Sequence, residues 1–134
     1  MQNKTKEDQE VKLYITKDSG DREHFDTGAR RDTRTGKGRF DLIPPIPEMR
    51  LAQLYERGAV KYGDRNWENG FPFSRCIDSA KRHINNYLAG EQTEDHLAAA
   101  VFNLFCVMHY EATKPHLNDL AITPLCQTKN NSQH

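Results

Sequence analysis

The sequence predicts an all-α fold, a small helical bundle built on an antiparallel helical hairpin with an extended N-terminal segment. Two amphipathic helical patterns lie between residues 76 and 110, and only a few residues around Gly90 separate them. A third helical pattern precedes them between residues 47 and 62. Because so short a link leaves no room for a crossover, the two helices of the hairpin should run antiparallel.

Length and composition limit the size of the core. The chain has 134 residues, of which only 36% are hydrophobic, and its mean hydropathy is -0.88. A single small domain of this kind would leave helix faces exposed, so we expect a homo-oligomer, a dimer or a tetramer. Lys and Arg number 19, as do Asp and Glu, so we expect no stable nucleic-acid partner.

The spacing of the cysteines and the lack of a long apolar run argue against disulfide-rich, zinc-thiolate and membrane-spanning proteins. The 3 cysteines form no CxxC pair, which argues against a disulfide framework or a thiolate zinc site. The sequence contains neither a signal-peptide core nor an apolar run of about 18 residues, the length needed for a membrane span. We therefore expect a cytoplasmic protein with no membrane partner.

The charge and proline pattern predicts three regions. Residues 1–25 are polar and predict a flexible arm with one strand-like patch at 11–16, residues 26–112 form the domain, and residues 113–134 form a loosely attached tail. The basic stretch before Phe40 is predicted to be extended, and Lys37 lacks the flanking residues of a phosphate loop. This stretch could wrap an anion, contact DNA as an arm, or be a solvated linker.

Prolines and glycines set the predicted helix boundaries. Pro47 suits the first position of a helix that Gly63 ends, and Ser74 and Thr93 are the predicted caps of the hairpin helices. Gly90 suits a left-handed stop for the first of these. The predicted apolar stripes of the hairpin are Ile77, Ala80, Ile84 and Tyr87/Leu88, then Leu97, Ala100/Val101, Leu104 and Val107/Met108.

A polar seam accompanies the apolar stripes of the hairpin. Counting outward from the turn sets His83 opposite Ala98 and within about a turn of His96, and Asp78 opposite Asn103. Asp95 and Glu94 also suit the positive end of a helix dipole, and each His alone could be structural. Burying so many polar groups is costly unless they serve one another or a ligand. The predicted functional seam comprises Asp78, Arg82, His83, Glu91, Asp95, His96 and Asn103.

Three motifs in order resemble a known family: GKGRFDLIPP, GAVKYGDRNWENG and DSAKRHINNYLAGEQTEDHLAAAVFNL. Over residues 27–110 the chain resembles the dATP/dGTP diphosphohydrolases, small phage and bacterial proteins of the MazG-like, all-α nucleotide pyrophosphohydrolases. The resemblance implies Mg²⁺ (or Mn²⁺) and cleavage of a purine deoxynucleoside triphosphate to the monophosphate and pyrophosphate. It also implies a phage-infected or bacterial cell as the setting.

The chain departs from the wider MazG pattern at two places. Gln53 stands where the first Glu of an E-x-x-E helix is usual, and His96 stands seven residues before Asn103, where Asp is usual. The ligand set must then come from other residues. A non-catalytic nucleotide-binding or assembly module on the same helical scaffold is the alternative function.

The resemblance and the residue chemistry together suggest roles for particular side chains. Carboxylates suit hard cations, so the proposed metal ligands are Glu56, Asp78, Glu91 and Asp95. The proposed catalytic residues are Glu56, Glu91 and Asp95, with His83 or His96 as base or additional Mn²⁺ ligand. Trp67 could stack on a base or plug the bundle. The proposed substrate-binding residues are Lys37, Arg39, Lys61, Asn66, Trp67, Arg82 and Asn103.

Overall fold

A computed structural model describes residues 14–121 and divides the chain after Leu42 into two compact units. The first unit ends in a basic segment, and the second contains the long helices. The division falls within the domain predicted for residues 26–112. The predicted boundaries of the arm and the tail remain predictions.

The first unit contains a small antiparallel hairpin. Strand β1, Arg22–His24, pairs with β2, Arg30–Asp32, so that Glu23 lies opposite Arg31. A turn with Gly28 at φ 88° joins them, and a 3-10 turn follows at Phe40–Leu42. The sequence predicts an extended segment, and both strands are extended, but their regular pairing was not foreseen because both strands are polar and leave no apolar alternation in the sequence. Residues 14–16 of the predicted strand-like patch are not in a strand, and 11–13 lie outside the described residues.

The second unit confirms the all-α prediction. Its long helices are α1, Pro45–Tyr62, α2, Phe73–Leu88, and α3, His96–Thr113. Helices α2 and α3 form the antiparallel hairpin, α1 packs on α3, and short 3-10 turns lie at Asn66–Asn69 and Pro115–Leu117. No helix in the described range 14–121 combines the length and the apolar character that crossing a bilayer requires.

The glycine stops were predicted correctly and the caps were not. Gly63 and Gly90 end their helices with φ of 90° and 82°. Helix α1 begins at Pro45 rather than Pro47, since its first turn accommodates both prolines at positions where the backbone N–H has no partner within the helix. Ser74 lies inside α2, where its backbone N–H donates to Asp119 at 2.8 Å. The cap of α3 is Asp95 rather than Thr93, and its carboxylate accepts from the Ala98 N–H at 3.1 Å.

The apolar core lies at the end of the hairpin away from its turn. Phe73, Cys76, Cys106 and Tyr110 form it, and the Tyr110 hydroxyl donates to the backbone oxygen of Trp67. Alanines at 98, 99 and 100 extend the buried face of α3 toward the turn. Small side chains on this face let the helix backbones approach closely, so packing does not require the larger apolar residues.

The predicted apolar stripe of the hairpin is therefore largely on the outside. On α3, Leu97, Val101, Leu104 and Met108 are 36%, 39%, 42% and 64% exposed. On α2 the outward residues are Ile84, Tyr87 and Leu88. Ala80 on α2 and Ala100 on α3 are buried as predicted, and Val107 packs against the core. The prediction chose the most hydrophobic stripe, but Ala, Cys and Tyr residues occupy the face of α3 that meets α2 and α1.

Residues after α3 fold back onto the core. Leu117 and Leu120 pack against it, and Asp119 binds Ser74 of α2. The predicted loose attachment of residues 113–134 remains a prediction, and residues 122–134 lie outside the described residues.

Candidate functional site

A large cleft opens in the helical unit. Helix α1 and the loop after it line one side, α2 lines the other, and α3 contributes Ala99, Phe102 and Asn103. The cleft volume is about 1140 Å³, which is ample for a nucleotide-sized ligand by comparison with pockets of about 300–1,000 Å³.

Positive charge predominates in this cleft. Its lining includes 5 basic side chains, Arg57, Lys61, Arg65, Arg75 and Arg82, against 3 acidic ones, Asp64, Asp78 and Glu94. Sequence analysis selected only Lys61 and Arg82 among the basic residues. The missed signal is helical spacing, because Arg57 lies one turn before Lys61 on α1, and Arg75 lies two turns before Arg82 on α2. An excess of two positive charges favours an anionic ligand.

His83 and His96 meet as the register of the hairpin predicts. Their Nδ1 atoms are 2.9 Å apart, and His96 is only 2% exposed, whereas His83 is half-buried and lines the cleft. The other nitrogen of His96, Nε2, donates to a carboxylate oxygen of Glu91. Burial lowers the pKa of His83, which favours its neutral form.

Glu91 is held in place from its own turn. The backbone N–H of Thr93 donates to its carboxylate at 2.6 Å, and the Thr93 hydroxyl donates to the same oxygen. These bonds and the contact with His96 lower the pKa of Glu91 to about 2. The turn therefore presents a fixed carboxylate to the buried face of His96.

Asp95 and Asp78 make ion pairs outside this cluster. Arg50 of α1 donates two hydrogen bonds to Asp95, at 2.7 and 2.9 Å, and lowers its pKa to about 2. Arg82 donates to Asp78 at 2.7 Å across one turn of α2. Asp95 thus joins α1 to the start of α3, a role that sequence reasoning did not foresee because Arg50 lies 45 positions away.

One group of potential metal ligands forms within the described residues. Atoms of His83, Glu94 and His96 lie within 4.8 Å of one another. Nowhere in residues 14–121 do the four predicted carboxylate ligands assemble into such a group, and Glu56 is exposed on α1. Sequence analysis gave Glu94 only a helix-dipole role. Its position two residues before His96 was the available signal.

Two of the predicted base-binding residues, Asn103 and Trp67, also take part in packing between the helices. Asn103 donates from its amide nitrogen to Ala99 O at 2.8 Å and to Ser79 Oγ at 3.2 Å, while also lining the cleft. Trp67 lines the cleft as well, but its ring packs edge-on against Tyr55 and His109, with centroids 6.1 and 5.1 Å away. The bundle-plug interpretation of Trp67 therefore fits its surroundings. Asn66 and Lys61 both line the cleft.

Lys37 and Arg39 belong to the first unit. Lys37 pairs with Asp32 at 2.7 Å, and Arg39 forms a bidentate pair with Asp41 at 2.8 Å for each bond. Both cations thus have carboxylate partners within their own unit.

Comparison with known proteins gives one family match. A family model described as dATP/dGTP diphosphohydrolase, N-terminal, matches residues 27–120. This range contains the cleft, the histidine pair and the residues that fold back after α3. No curated protein and no solved structure shows a significant match to the chain.

Proposed function

The chain belongs to the dATP/dGTP diphosphohydrolase family, and from this premise we propose that it hydrolyses purine deoxynucleoside triphosphates. The reaction breaks the bond between the α phosphorus and its bridging oxygen. Water supplies the new oxygen on the monophosphate, and pyrophosphate leaves. We place this activity in the cytoplasm of a bacterial or phage-infected cell.

The observation that carries the proposal is the cationic cleft. A triphosphate needs several positive groups within one concave surface, and five basic side chains line this one. Lys61 and Arg82 are proposed to hold the phosphates, together with Arg57, Arg65 and Arg75. The proposed contacts of the base or sugar are Asn66, Trp67 and Asn103.

The family implies a metal, for which Mg²⁺ or Mn²⁺ is our proposal. Such an ion neutralises phosphate charge and activates water when it is bound. The oxygen ligands of the chain that suit it are the carboxylates proposed above, Glu56, Asp78, Glu91 and Asp95. Three of these four already accept hydrogen bonds from Arg82, His96 or Arg50, so a metal bound there would share the carboxylate with that partner or displace it.

His83 and His96 are the proposed proton-handling groups. His83 lines the cleft, and His96 connects it to the Glu91 carboxylate. A neutral His83 can accept a proton from water in the cleft, and the His96–Glu91 pair can then stabilise the charge that results.

Product analysis tests the proposal directly. Each of the four deoxynucleoside triphosphates and their ribonucleotide counterparts is incubated with the chain and Mg²⁺ or Mn²⁺, and ion-exchange chromatography resolves the products. The expected result is monophosphate plus pyrophosphate from dATP and dGTP, with no diphosphate intermediate. Orthophosphate plus diphosphate would instead indicate a different phosphohydrolase.

A non-catalytic nucleotide-binding module is the second candidate function. The observation that favours it is the engagement of Asp78, Glu91 and Asp95 with other side chains. Nucleotide binding without turnover, measured by calorimetry in the presence of either metal, would support this function and contradict hydrolysis.

We also propose that the chain forms a homo-oligomer, a dimer or a tetramer, through the outward face of α3. Five large apolar side chains share this face and are at least 36% exposed: Leu97, Val101, Leu104, Phe105 and Met108. Their spacing makes one continuous stripe on the helix.

Light scattering should give a dimer or tetramer for the wild type and a smaller species for Leu104→Lys. Val60→Lys, at an 87% exposed position of α1, is the control. A monomeric wild type at micromolar concentration would contradict the proposal.

A further inference from the structure

We propose that His83, Glu94 and His96 form a binding site for a first-row transition-metal ion such as Zn²⁺ or Co²⁺. The three residues offer two imidazole nitrogens and one carboxylate oxygen, all within 4.8 Å of one another. The site shares His83 and His96 with the proposed proton-handling groups, but none of its three direct ligands is among the four carboxylates proposed for Mg²⁺ or Mn²⁺. Its test measures metal binding alone, so either proposal can fail without the other.

The histidine spacing suits two ligands of one ion. The Nδ1 atoms of His83 and His96 are 2.9 Å apart. Two nitrogens that each lie about 2.0–2.1 Å from zinc are separated by roughly 2.9–3.4 Å for bond angles between a right angle and the tetrahedral value. The ring centroids are 5.2 Å apart, so the two Nδ1 atoms point at each other, and both rings must rotate for their lone pairs to converge on one ion.

The second ring nitrogen of His96 has a carboxylate partner, as is common for histidines that bind metals. Glu91 accepts a hydrogen bond from Nε2 of His96, so this nitrogen carries the proton and Nδ1 keeps its lone pair. Thr93 fixes the orientation of Glu91 through two hydrogen bonds. Histidines that bind metals usually donate their second N–H to a carboxylate or carbonyl in this way.

Hydrogen bonding between the rings explains the same distance without a metal. In that state Nδ1 of His83 carries the proton and donates to Nδ1 of His96. Metal binding moves this proton to Nε2 of His83, which leaves the ring neutral and frees its Nδ1 lone pair. Glu94 then supplies the only negative charge among the three ligands, and direct binding experiments separate the two states.

Ligand chemistry predicts which ions bind. Imidazole nitrogen suits Zn²⁺, Co²⁺ and their neighbours, whereas Mg²⁺ prefers an octahedral shell of oxygen atoms. His83 and Glu94 also line the cleft, so an ion held by them would border that space. An ion held there would be accessible to a ligand in that space.

The test titrates the full, tag-free chain with Co²⁺ and follows its visible absorption, then adds Zn²⁺ or Mg²⁺ as competitor. We expect one Co²⁺ per chain, displacement by Zn²⁺, and no displacement by millimolar Mg²⁺. Glu91→Gln should weaken binding roughly 10–100-fold, as loss of a carboxylate behind a ligand typically does. His83→Gln and Glu94→Gln, which each remove a direct ligand, should weaken it more.

Two variants serve as matched controls. His116→Gln and Glu48→Gln change exposed residues of the same types away from the cluster, and both should bind Co²⁺ like the wild type. Circular dichroism should show unchanged helicity for His83→Gln and Glu94→Gln, since neither residue is in the buried core. Absence of Co²⁺ binding, wild-type affinity in both of these variants, or displacement by Mg²⁺ would each overturn the proposal.

Discussion

The two ends of the α2–α3 hairpin are packed with opposite chemistry. At the end away from the turn, Phe73 and Tyr110 stack with centroids 6.4 Å apart beside two buried cysteines. At the turn end, His83, His96 and Glu91 form a polar chain, and His96 is as deeply buried as the cysteines. We therefore propose that the same pair of helices gains stability at one end and provides the chemical function at the other. Four predictions test this division, from the largest expected effect to the smallest.

Tyr110→Ala should cause a large loss of stability at the apolar end. The side chain is fully buried, and its hydroxyl bonds to the backbone of Trp67. Removal of a buried aromatic side chain typically costs about 3–5 kcal/mol. Urea unfolding measures the change, and Tyr14→Ala, at an 82% exposed position, should stay within about 0.5 kcal/mol of the wild type. A small effect at Tyr110 would mean that the apolar end does not dominate stability.

Glu91→Gln should show the opposite behaviour at the turn end. The substitution keeps the size of the side chain but removes the charge that orients His96. If the proposed hydrolysis holds, kcat should fall at least about 10–100-fold, while the free energy of unfolding should fall by at most about 1 kcal/mol. Glu48→Gln, on an exposed turn of α1, is the control. Glu94→Gln cannot serve as the control, because the structure places Glu94 beside the two histidines. Unchanged turnover in Glu91→Gln would remove the turn end from the active site.

Arg82→Gln tests whether the functional region extends from the turn into the cleft. Arg82 lines the cleft, whereas its neighbour Lys81 does not. A hydrogen bond from a charged group is typically worth about 1.5–3 kcal/mol, so loss of one phosphate contact should raise KM roughly 10–100-fold. Lys81→Gln removes the neighbouring positive charge and should leave KM within about twofold of the wild-type value. Equal effects of the two substitutions would indicate general electrostatic attraction rather than a specific contact.

Asp95→Asn should produce the smallest effect, which depends on pH. Arg50 lowers the pKa of Asp95 from 3.8 to about 2, so the ion pair stabilises the fold above pH 3.8 and its contribution is lost as pH falls toward 2. At neutral pH the partly exposed pair is worth at most about 1 kcal/mol. Asn keeps the helix cap, so the variant isolates the pair. Thermal unfolding is measured between pH 2 and 7, and the Tm of the variant should fall less than the Tm of the wild type as the pH is lowered below about 4. An equal fall in Tm for both proteins would contradict the role of Arg50.

The sequence by itself determined the helical hairpin and the meeting of its histidines. Helical spacing and a short turn with Gly90 restrict the register strongly, since each residue of a helix advances by a fixed rise. The pairing of His83 with His96 follows from that register and needs no other part of the chain. The positions of the helix stops follow from Gly63 and Gly90 for a similarly local reason.

Only the tertiary structure decided which helix face is buried and which acids meet the histidines. Leu97, Val101 and Leu104 are more hydrophobic than the alanines of α3, yet the alanines face the neighbouring helices, because close packing depends on side-chain shape as well as hydrophobicity. Arg50 and Asp95 lie 45 positions apart, and their ion pair requires α1 to pack on α3. The conformation of the turn directs Glu91 to His96, and Glu94 toward both histidines. Helical periodicity carries no information about these contacts.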